Sequence, residues 1–278
     1  MMEKTLNSTV LQALRSNKIT LRDNAFLPTI VETIQEYKKE NSLMAKKPDF
    51  IIAGSMKCGT TSLYEYLAEH EKVMSREPKE LHYFTLHKDQ ISDEEYMEMF
   101  SVEEKEQLSG EASPSYFDWS QEDILLKMNE FLPDTKFFVL LRDPVDRAVS
   151  EIFHYTKKTP DVYTVDNELS IEDFEQAPEY ILRNGLYEEK VKLWQDIFGA
   201  RVMFINFEEL KQNPDKIVAE SFEFLDLTPL KNSSDEVKEA KNANIYNKPS
   251  SEVYEYLEEY FLESKQNMKE LLGFDWLR

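Results

Sequence analysis

Cysteine and long apolar runs are the two features that this sequence most lacks. Cys58 is the only cysteine in 278 residues, which excludes an intrachain disulfide and a cysteine-rich metal site. The longest uninterrupted aliphatic and aromatic run is Phe137 to Leu141, far short of the ~20 residues that a membrane-spanning helix needs. The first residues, Met1 to Lys4, are not followed by the apolar segment of a secretory signal. We therefore expect a cytoplasmic protein in a reducing setting, with no membrane span.

Positive charge is also in short supply. The chain has 33 Lys and Arg residues against 54 Asp and Glu residues, and its formal net charge is -21. Such a field repels nucleic acid and anionic polymers at long range, so no nucleic-acid partner is expected. Any anion that the protein binds has to be held by a local pocket, whereas a neutral or cationic small molecule is compatible with the overall charge. The same charge is equally typical of a protein that only has to stay soluble.

Glycine is scarce as well, with six residues, and Gly, Pro and Ser do not cluster into a linker, so one main domain is predicted. Residues 1–47 carry apolar side chains at helical spacing and are expected to form an N-terminal helical extension. Residues 48–278 alternate short apolar runs with amphipathic stretches, which predicts an α/β fold: a single domain with a central parallel sheet flanked by helices. The predicted strands are Phe50–Ala53, Phe137–Leu141 and Val202–Ile205, and the predicted helices begin near Thr60, Pro144, Tyr187 and Ser251.

The first predicted strand runs into the loop Gly54-Ser-Met-Lys-Cys-Gly-Thr-Thr61, which leads into a helix. At a helix N-terminus the free backbone N–H groups and the helix dipole attract a phosphate, and glycines let the backbone approach it closely. The Gly-x-x-x-x-Gly spacing of a nucleoside-triphosphate P-loop is present. However, Lys57 precedes the second glycine instead of following it, which disfavours an ordinary ATPase or GTPase. The alternative is a glycine-containing strand-to-helix turn without a ligand.

The second predicted strand ends at Arg142, at the edge of the sheet where open α/β folds bind ligands. Asp143 is a good N-cap and Pro144 a good first residue for the next helix, and Ser150 falls about two turns into that helix. An arginine at a strand end and a serine on the adjacent helix can bind a second phosphate through charge-assisted hydrogen bonds. The alternative is a surface ion pair between Arg142 and Asp146 beside a solvated serine.

Together these segments resemble the motifs with which sulfotransferases bind 3'-phosphoadenosine-5'-phosphosulfate (PAPS). The stretch Phe50-Ile-Ile-Ala-Gly-Ser-Met-Lys-Cys-Gly-Thr-Thr-Ser-Leu63 is similar to the 5'-phosphosulfate loop, and Phe138-Val-Leu-Leu-Arg-Asp-Pro-Val-Asp-Arg-Ala-Val-Ser150 is similar to the 3'-phosphate motif. The resemblance is to the P-loop-type, PAPS-binding branch that includes heparan-type carbohydrate sulfotransferases and many bacterial members. Further similar segments are Lys79-Glu-Leu-His-Tyr-Phe84, Gly110-Glu-Ala-Ser-Pro-Ser-Tyr-Phe117, and Gly185-Leu-Tyr187 with Trp194.

The resemblance implies a role for each matching residue. Arg142 and Ser150 would hold the 3'-phosphate of the donor, and Glu80 would act as the general base with His82 beside the acceptor. Tyr187 would pack near the adenine, and the segment 241–248, which begins with Lys241, would close over the nucleotide. The residues implied to hold the 5'-phosphosulfate are Lys57, Cys58, Gly59, Thr60, Thr61 and Ser62, of which Lys57 would also stabilise the leaving phosphate.

No metal is expected, because the leaving group of PAPS is already a good one and the sequence has no His and carboxylate cluster at zinc spacing. The donor would leave as 3'-phosphoadenosine-5'-phosphate (PAP). The chemistry would be an in-line attack by an oxygen or nitrogen nucleophile, similar to phosphoryl transfer. A positioned glutamate would take the proton, and a lysine beside the bridging oxygen would stabilise the growing negative charge.

Two departures from the carbohydrate-acting pattern bear on the acceptor. Ala112 stands where some relatives carry a lysine, and Thr85 stands where some carry an aspartate. With the acidic charge, these departures favour a neutral or cationic natural product, such as a guanidinium alkaloid, over a heparan chain. A carbohydrate or carrier-bound polyketide hydroxyl is the alternative acceptor. An atypical P-loop nucleotide kinase and a non-catalytic P-loop scaffold are the alternative functions, and a composition rich in Lys, Glu and Asn is typical of a bacterial protein.

Overall fold

A central five-stranded sheet organises the molecule. A computed structural model describes residues 44–74, 80–102, 104–158, 169–230 and 249–277. In that part of the chain the strands are β1 (Phe50–Gly54), β2 (Val73–Met74), β3 (Leu108–Ala112), β4 (Lys136–Leu141) and β5 (Val202–Asn206). Their spatial order is β2-β3-β1-β4-β5, and every neighbouring pair is parallel. The predicted α/β fold is therefore confirmed, and the three predicted strands correspond to β1, β4 and β5.

Helices connect the strands. A π-helical turn at Tyr83–His87 and a 3-10 turn at Gly199–Arg201 accompany the α-helices. The described α-helices are α1 (Thr60–Leu67), α2 (Asp93–Glu98), α3 (Ser115–Asp118), α4 (Glu122–Phe131), α5 (Pro144–Lys158), α6 (Ile171–Gln176), α7 (Tyr180–Arg183), α8 (Glu188–Phe198), α9 (Phe207–Gln212), α10 (Pro214–Phe224) and α11 (Ser251–Leu272).

Both faces of the sheet are covered, as a parallel sheet requires. Side chains alternate across β1, so Ile51 and Ala53 join one buried cluster while Phe50 and Ile52 join the other. The first cluster packs β1 and β4 against α3, α4 and α8, and it includes the fully buried Trp194. The second cluster packs the opposite face against α1 and α10. A strand that is apolar on both sides reads as a continuous apolar run, which is why β1 and β4 are visible in the sequence.

The four predicted helix starts agree with the structure, and α1 begins at Thr60. Asp143 precedes α5 and its Oδ1 accepts the N–H of Val145 at 2.9 Å. Ser250 is the N-cap of α11, and its hydroxyl accepts the N–H of Val253 at 3.4 Å. α8 begins one residue after Tyr187. The caps at Asp143 and Ser250 satisfy N–H groups that the first turn of a helix leaves without acceptors.

Two predictions fall on residues that the structure leaves undescribed. The N-terminal helical extension over 1–47 lies outside the described residues except for 44–47, where Met44 forms an antiparallel bridge with Val102. Lys241 and the rest of the segment 241–248 also lie outside the described residues. Among the helices that are described, none combines the length and the apolar character needed to cross a bilayer.

Candidate active site

The carboxyl ends of four neighbouring strands form one edge of the sheet. Because β3, β1, β4 and β5 are adjacent and parallel, the residues that follow them come together. The loop 55–59 follows β1, Ser113 follows β3, Arg142 follows β4 and Phe207 follows β5. This edge therefore brings together the two motifs that the sequence places 85 residues apart, at Lys57 and Arg142.

The loop 55–59 delivers the chain into an open helix N-terminus. Gly59 is the N-cap of α1 with φ 87, and no side chain of a described residue caps the helix there. A Cβ on Gly59 would come within 2.7 Å of the Phe207 ring, so both the backbone conformation and the space demand glycine. The first N–H groups of α1 have no acceptor within the helix. With the helix dipole, they make the start of α1 suited to a phosphate or sulfate group.

Arg142 lies directly beside this loop. Its Nη1 donates to the carbonyl oxygen of Lys57 at 3.4 Å, a long hydrogen bond that fixes the two motifs next to each other. The guanidinium carbon is 5.1 Å from the centroid of the Phe207 ring, a cation–π contact that orients the side chain. The Nε of Arg142 is buried and has no hydrogen-bond partner among the described residues. A buried arginine donor without an acceptor is costly, and an anionic ligand atom would supply the missing acceptor.

Ser150, the other residue implied for the 3'-phosphate, lies on α5 and is 6% exposed. Below it, α5 carries a fully buried ion pair, in which Nη1 of Arg147 donates to Glu151 and Nη2 donates to the carbonyl of Ile181. Burial, the largest influence, raises the pKa of Glu151 to about 7, although the charge of Arg147 acts in the opposite direction. Nothing in the local sequence indicates this pair, since Arg147 fits a solvated helix face equally well.

Glu80 and His82 lie on a turn that docks on the end of β3. The N–H of Glu80 donates to the carbonyl of Ala112 at 3.1 Å, and the N–H of His82 donates to Ser113 Oγ at 3.0 Å. Since β3 pairs with β1, the turn is at the same sheet edge as the loop 55–59. The Glu80 carboxylate is 3.5 Å from His82 Nε2 and its side chain is 38% exposed. A glutamate in this setting can reach a ligand from solvent while a buried histidine orients it.

His82 is held by a chain of hydroxyl groups. Its ring is 1% exposed, and Nδ1 is 2.7 Å from Ser115 Oγ. Ser115 Oγ is in turn 2.6 Å from Thr85 Oγ1. Thr85 therefore belongs to the site, although it departs from the carbohydrate-acting pattern. His82 Nε2 is buried and makes no hydrogen bond within the described part of the chain, so the orientation of the ring depends on the hydroxyl chain at Nδ1.

Backbone strain concentrates on the residues that the resemblance implies are catalytic. Four non-glycine residues of the described chain have positive φ: Lys57 (68°), Glu80 (61°), His82 (49°) and Asp226 (60°). Such conformations cost roughly 1–3 kcal/mol each and persist where the surroundings impose them. Three of the four are the residues predicted to act in catalysis, which supports the assignment of this edge as the functional site.

Two predicted ligand residues occupy the core under the site. The Cys58 thiol is fully buried, and burial raises its pKa to about 12, so the side chain is a neutral packing group. The Tyr187 ring is also fully buried, 6.0 Å from the Trp276 ring, and its hydroxyl donates to the carbonyl of Arg142 at 3.0 Å. Tyr187 thus supports the end of β4 from within the core. Its predicted contact with the adenine stays a prediction that this placement does not favour.

Sequence reasoning missed several residues of the site because their contacts are distant in the chain. Phe207 follows a predicted strand, yet nothing local shows that its ring lies between Gly59 and Arg142. Asp118 bonds the loop 55–59 from 62 and 63 residues away. Glu111 lies in one of the motifs that carry the resemblance, and it is a buried carboxylate that accepts from Ser113, Tyr96 and Tyr116 at 2.5, 2.7 and 2.9 Å. Among the described residues, no group of three or more His, Cys, Asp or Glu side chains is arranged to hold a metal ion.

A strand, a glycine-bearing loop and an uncapped helix at the carboxyl edge of a parallel sheet define an α/β protein of P-loop type. Within that class the chain belongs to the sulfotransferase domain family, whose profile matches residues 47–278. The resemblance drawn from the motifs is therefore confirmed.

Curated proteins and solved structures give the same family. Membrane-associated sulfotransferase kil1 of Dictyostelium discoideum is 22% identical over 318 aligned positions, which cover 82% of this chain and 66% of that protein. Mouse heparan sulfate glucosamine 3-O-sulfotransferase 3B1 is 28% identical over 178 positions, covering 60% of this chain and 43% of that protein. The chain thus spans less than two thirds of the length of these relatives.

Among solved structures, a sulfotransferase from Alicyclobacillus acidocaldarius superposes with a TM-score of 0.62 at 25% identity, covering 82% of this chain and 97% of that one. Mouse sulfotransferase SULT7A1, solved in complex with PAP, shares the fold with a TM-score of 0.50 at 15% identity, covering 86% of this chain and 90% of that one. The described sheet and helices are thus those of a known sulfotransferase fold.

Proposed function

We propose that this chain transfers a sulfuryl group from PAPS to a hydroxyl or amine of a small acceptor. The observation that carries the proposal is the contact between Arg142 Nη1 and the Lys57 carbonyl at 3.4 Å, which puts the two phosphate motifs of the sequence side by side. Membership of the sulfotransferase domain family supports the reaction class. The open start of α1 supports an anionic donor.

The two halves of the site bind the two phosphorylated ends of the donor. The N–H groups from Gly59 to Ser62, with the hydroxyls of Thr60 and Thr61, hold the 5'-phosphosulfate at the start of α1. Arg142 and Ser150 hold the 3'-phosphate, and the buried Nε of Arg142 gains an acceptor. Because these groups are preorganised, they lose little entropy when the donor binds.

Transfer follows from the position of Glu80 at the same edge. The acceptor oxygen or nitrogen attacks sulfur, and its proton passes to the Glu80 carboxylate. A new bond from the acceptor to sulfur forms while the bond from sulfur to the bridging phosphate oxygen breaks. The electron pair of that bond stays on the phosphate of PAP, where Lys57 and the N-terminus of α1 stabilise the charge. His82, fixed by Ser115, orients Glu80 during the step.

Net charge supports a neutral or cationic acceptor, such as a guanidinium-bearing natural product. A chain with a formal net charge of -21 repels a polyanion at long range. The similarity to a heparan sulfate 3-O-sulfotransferase favours a carbohydrate as the alternative, and a carrier-bound hydroxyl is a third. A screen with labelled PAPS separates these classes when it compares a guanidinium compound, a neutral sugar, a heparan-type oligosaccharide and a carrier-bound hydroxyl at equal concentration. Transfer to the polyanion alone would overturn the preference.

Lys57→Ala tests the donor site. We expect transfer to fall by about 10²–10³-fold, because a donor that stabilises developing charge is lost. The matched control is Lys127→Ala, since the Lys127 side chain is 71% exposed and lies on α4, outside the residues proposed to hold the donor. PAP affinity, measured by calorimetry, and thermal unfolding show whether binding and folding are retained. Full transfer activity in Lys57→Ala would contradict the proposal, and transfer that persists in EDTA would exclude a magnesium-dependent kinase reaction.

A further inference from the structure

Asp118 is a buried carboxylate that holds the start of the loop 55–59. It is the last residue of α3 and is 5% exposed. Its Oδ1 accepts a hydrogen bond from the Ser55 hydroxyl at 2.5 Å, and its Oδ2 accepts one from the backbone N–H of Met56 at 2.9 Å. A negative charge beside an anion-binding loop opposes the binding of a phosphate. Its presence there therefore needs an explanation other than attraction.

The two bonds of Asp118 complete the restraints on the loop. The N–H of Ser55 donates to the carbonyl of Leu140 at 2.8 Å, which ties the loop to β4. The N–H of Cys58 donates to the carbonyl of Ser55 at 3.2 Å, which closes a turn within the loop. Met56 lies between these two restraints, and its N–H is bound by Asp118. The loop therefore enters α1 along a path that Asp118 helps to fix.

The helix α3 also contacts the turn that carries Glu80 and His82. Its first residue, Ser115, bonds Nδ1 of His82 at 2.7 Å, whereas its last residue, Asp118, bonds the loop that carries Lys57. One helical turn of four residues thus joins the base-bearing turn to the donor loop. Its first and last Cα atoms are separated by only about 4.5 Å along the axis. Because in-line transfer depends on the distance and angle between reacting groups, a rigid connection of this length matters to the reaction.

Asp118 also interacts with the charge of Lys190. Lys190 lies with its ammonium group 5.7 Å from the centroid of the ring of Phe117, the residue before Asp118. Burial lowers the pKa of Lys190, and the charge of Asp118 acts against that lowering. A cation that interacts with Asp118 reduces the repulsion that the carboxylate exerts on a bound anion.

We propose that Asp118 is a positioning residue of sulfuryl transfer, which shapes the loop 55–59 around the donor and keeps that loop at a fixed distance from the Glu80 turn. This inference rests on the proposed binding of PAPS. It makes a distinction that a purely electrostatic role would not make: the shape of the side chain matters, and its negative charge does not.

A pair of substitutions at Asp118 tests the proposal by PAP titration. Asp118→Ala leaves the Met56 N–H and the Ser55 hydroxyl without their acceptor, so we expect PAP affinity to fall by about tenfold or more. Asp118→Asn keeps an oxygen acceptor and removes the like charge, so we expect affinity within about threefold of wild type, or tighter. The matched control is Asp123→Ala, since the Asp123 side chain is 65% exposed at the start of α4.

The outcomes separate this inference from the proposed function. Failure of the wild-type protein to bind PAP would contradict the proposed function. Wild-type PAP affinity in Asp118→Ala would overturn only the role of Asp118. Asp118→Asn as weak as Asp118→Ala overturns the claim that shape, and not charge, is required. A steady-state comparison adds a second readout. We expect Asp118→Ala to raise the KM for PAPS and lower kcat, because the loop 55–59 and the Glu80 turn both move. If Asp118→Ala does not fold, Ser55→Ala decides: a loss of about threefold in PAP affinity supports the proposal, and no loss overturns it.

Discussion

Glu80 shows at the scale of one residue how a common side chain becomes a candidate base. The chain contains 54 acidic residues, and composition does not single this one out. Its backbone is held at φ 61 and its N–H is bound to the end of β3, so the direction of its side chain is imposed by the fold. The neighbouring His82 is fully buried, and it cannot move without breaking its contact with Ser115.

Glu80→Gln tests that role with little change in shape. We expect the rate of transfer to fall by about 10²–10⁴-fold, because the amide cannot accept the proton of the acceptor. PAP affinity should stay at the wild-type value, since Glu80 does not hold the donor. Glu122→Gln is the control, because Glu122 is an exposed residue at the start of α4. Wild-type turnover in Glu80→Gln would require another residue to act as the base.

Cys58 gives a prediction about reactivity. Its pKa is raised to about 12 by burial, so the thiol keeps its proton at any pH up to about that value. The thiolate is the reactive form, and we expect the folded protein to resist thiol reagents at pH 8. Reaction with Ellman's reagent before and after guanidinium denaturation measures this. Rapid labelling of the folded protein would show that the loop opens and exposes the sulfur.

Among the elements, the end of α11 and the residues after it contact the edge of the sheet where we propose the donor site. Lys265 is fully buried, and its Nζ bonds Glu258 at 2.6 Å, Asp143 at 3.2 Å and the carbonyl of Trp276 at 3.2 Å. Trp276 Nε1 in turn donates to Glu208 at 3.0 Å. Since Asp143 follows Arg142 and caps α5, this set of bonds connects the C-terminal helix to the predicted 3'-phosphate site.

Lys265→Met should therefore affect both stability and binding. It leaves two carboxylates without their buried cation, which costs about 3–5 kcal/mol of the free energy of unfolding. We also expect weaker PAP binding, because Asp143 loses a restraint next to Arg142. Lys269→Met, one turn further along the helix, removes a half-exposed lysine and should change neither property. Urea denaturation and PAP titration measure the two effects, and equal unfolding curves for both variants would contradict the assignment.

The strand β3 shows why one element escaped the sequence analysis. Its sequence is Leu-Ser-Gly-Glu-Ala, with a polar, a small and a charged residue in the middle, so it carries no apolar run. Glu111 is nevertheless buried, because Ser113, Tyr96 and Tyr116 supply its hydrogen bonds. Gly110 is required because a Cβ there would lie 2.4 Å from the carbonyl of Phe50. A buried polar strand depends on partners from other elements, and local pattern does not contain them.

The net charge of -21 opposes the anionic donor that we propose for the site. In that proposal Arg142 and Lys57 attract the donor only at short range, since salt limits such fields to about 10 Å at 0.1 M. We expect the association rate constant of PAP to rise between about 0.01 and 0.1 M salt, because screening weakens the long-range repulsion. Stopped-flow binding at several salt concentrations measures this. An association rate that falls with salt would show that the local positive field dominates the approach.

Local patterns in the sequence predict the architecture and the two ends of the proposed donor site. Apolar runs indicate β1 and β4, because a strand buried on both faces cannot be polar, and the glycines and caps around them indicate where each strand meets a helix. The fold supplies the contacts that hold those ends together: Phe207 between Gly59 and Arg142, Asp118 on the loop, and Ser115 on His82. It also placed Tyr187 and Cys58 in the core. The physical reason is range: hydrophobic period and helix caps are local, whereas the contacts that shape the site join residues about 30 to 150 positions apart, which nothing in a linear pattern brings together.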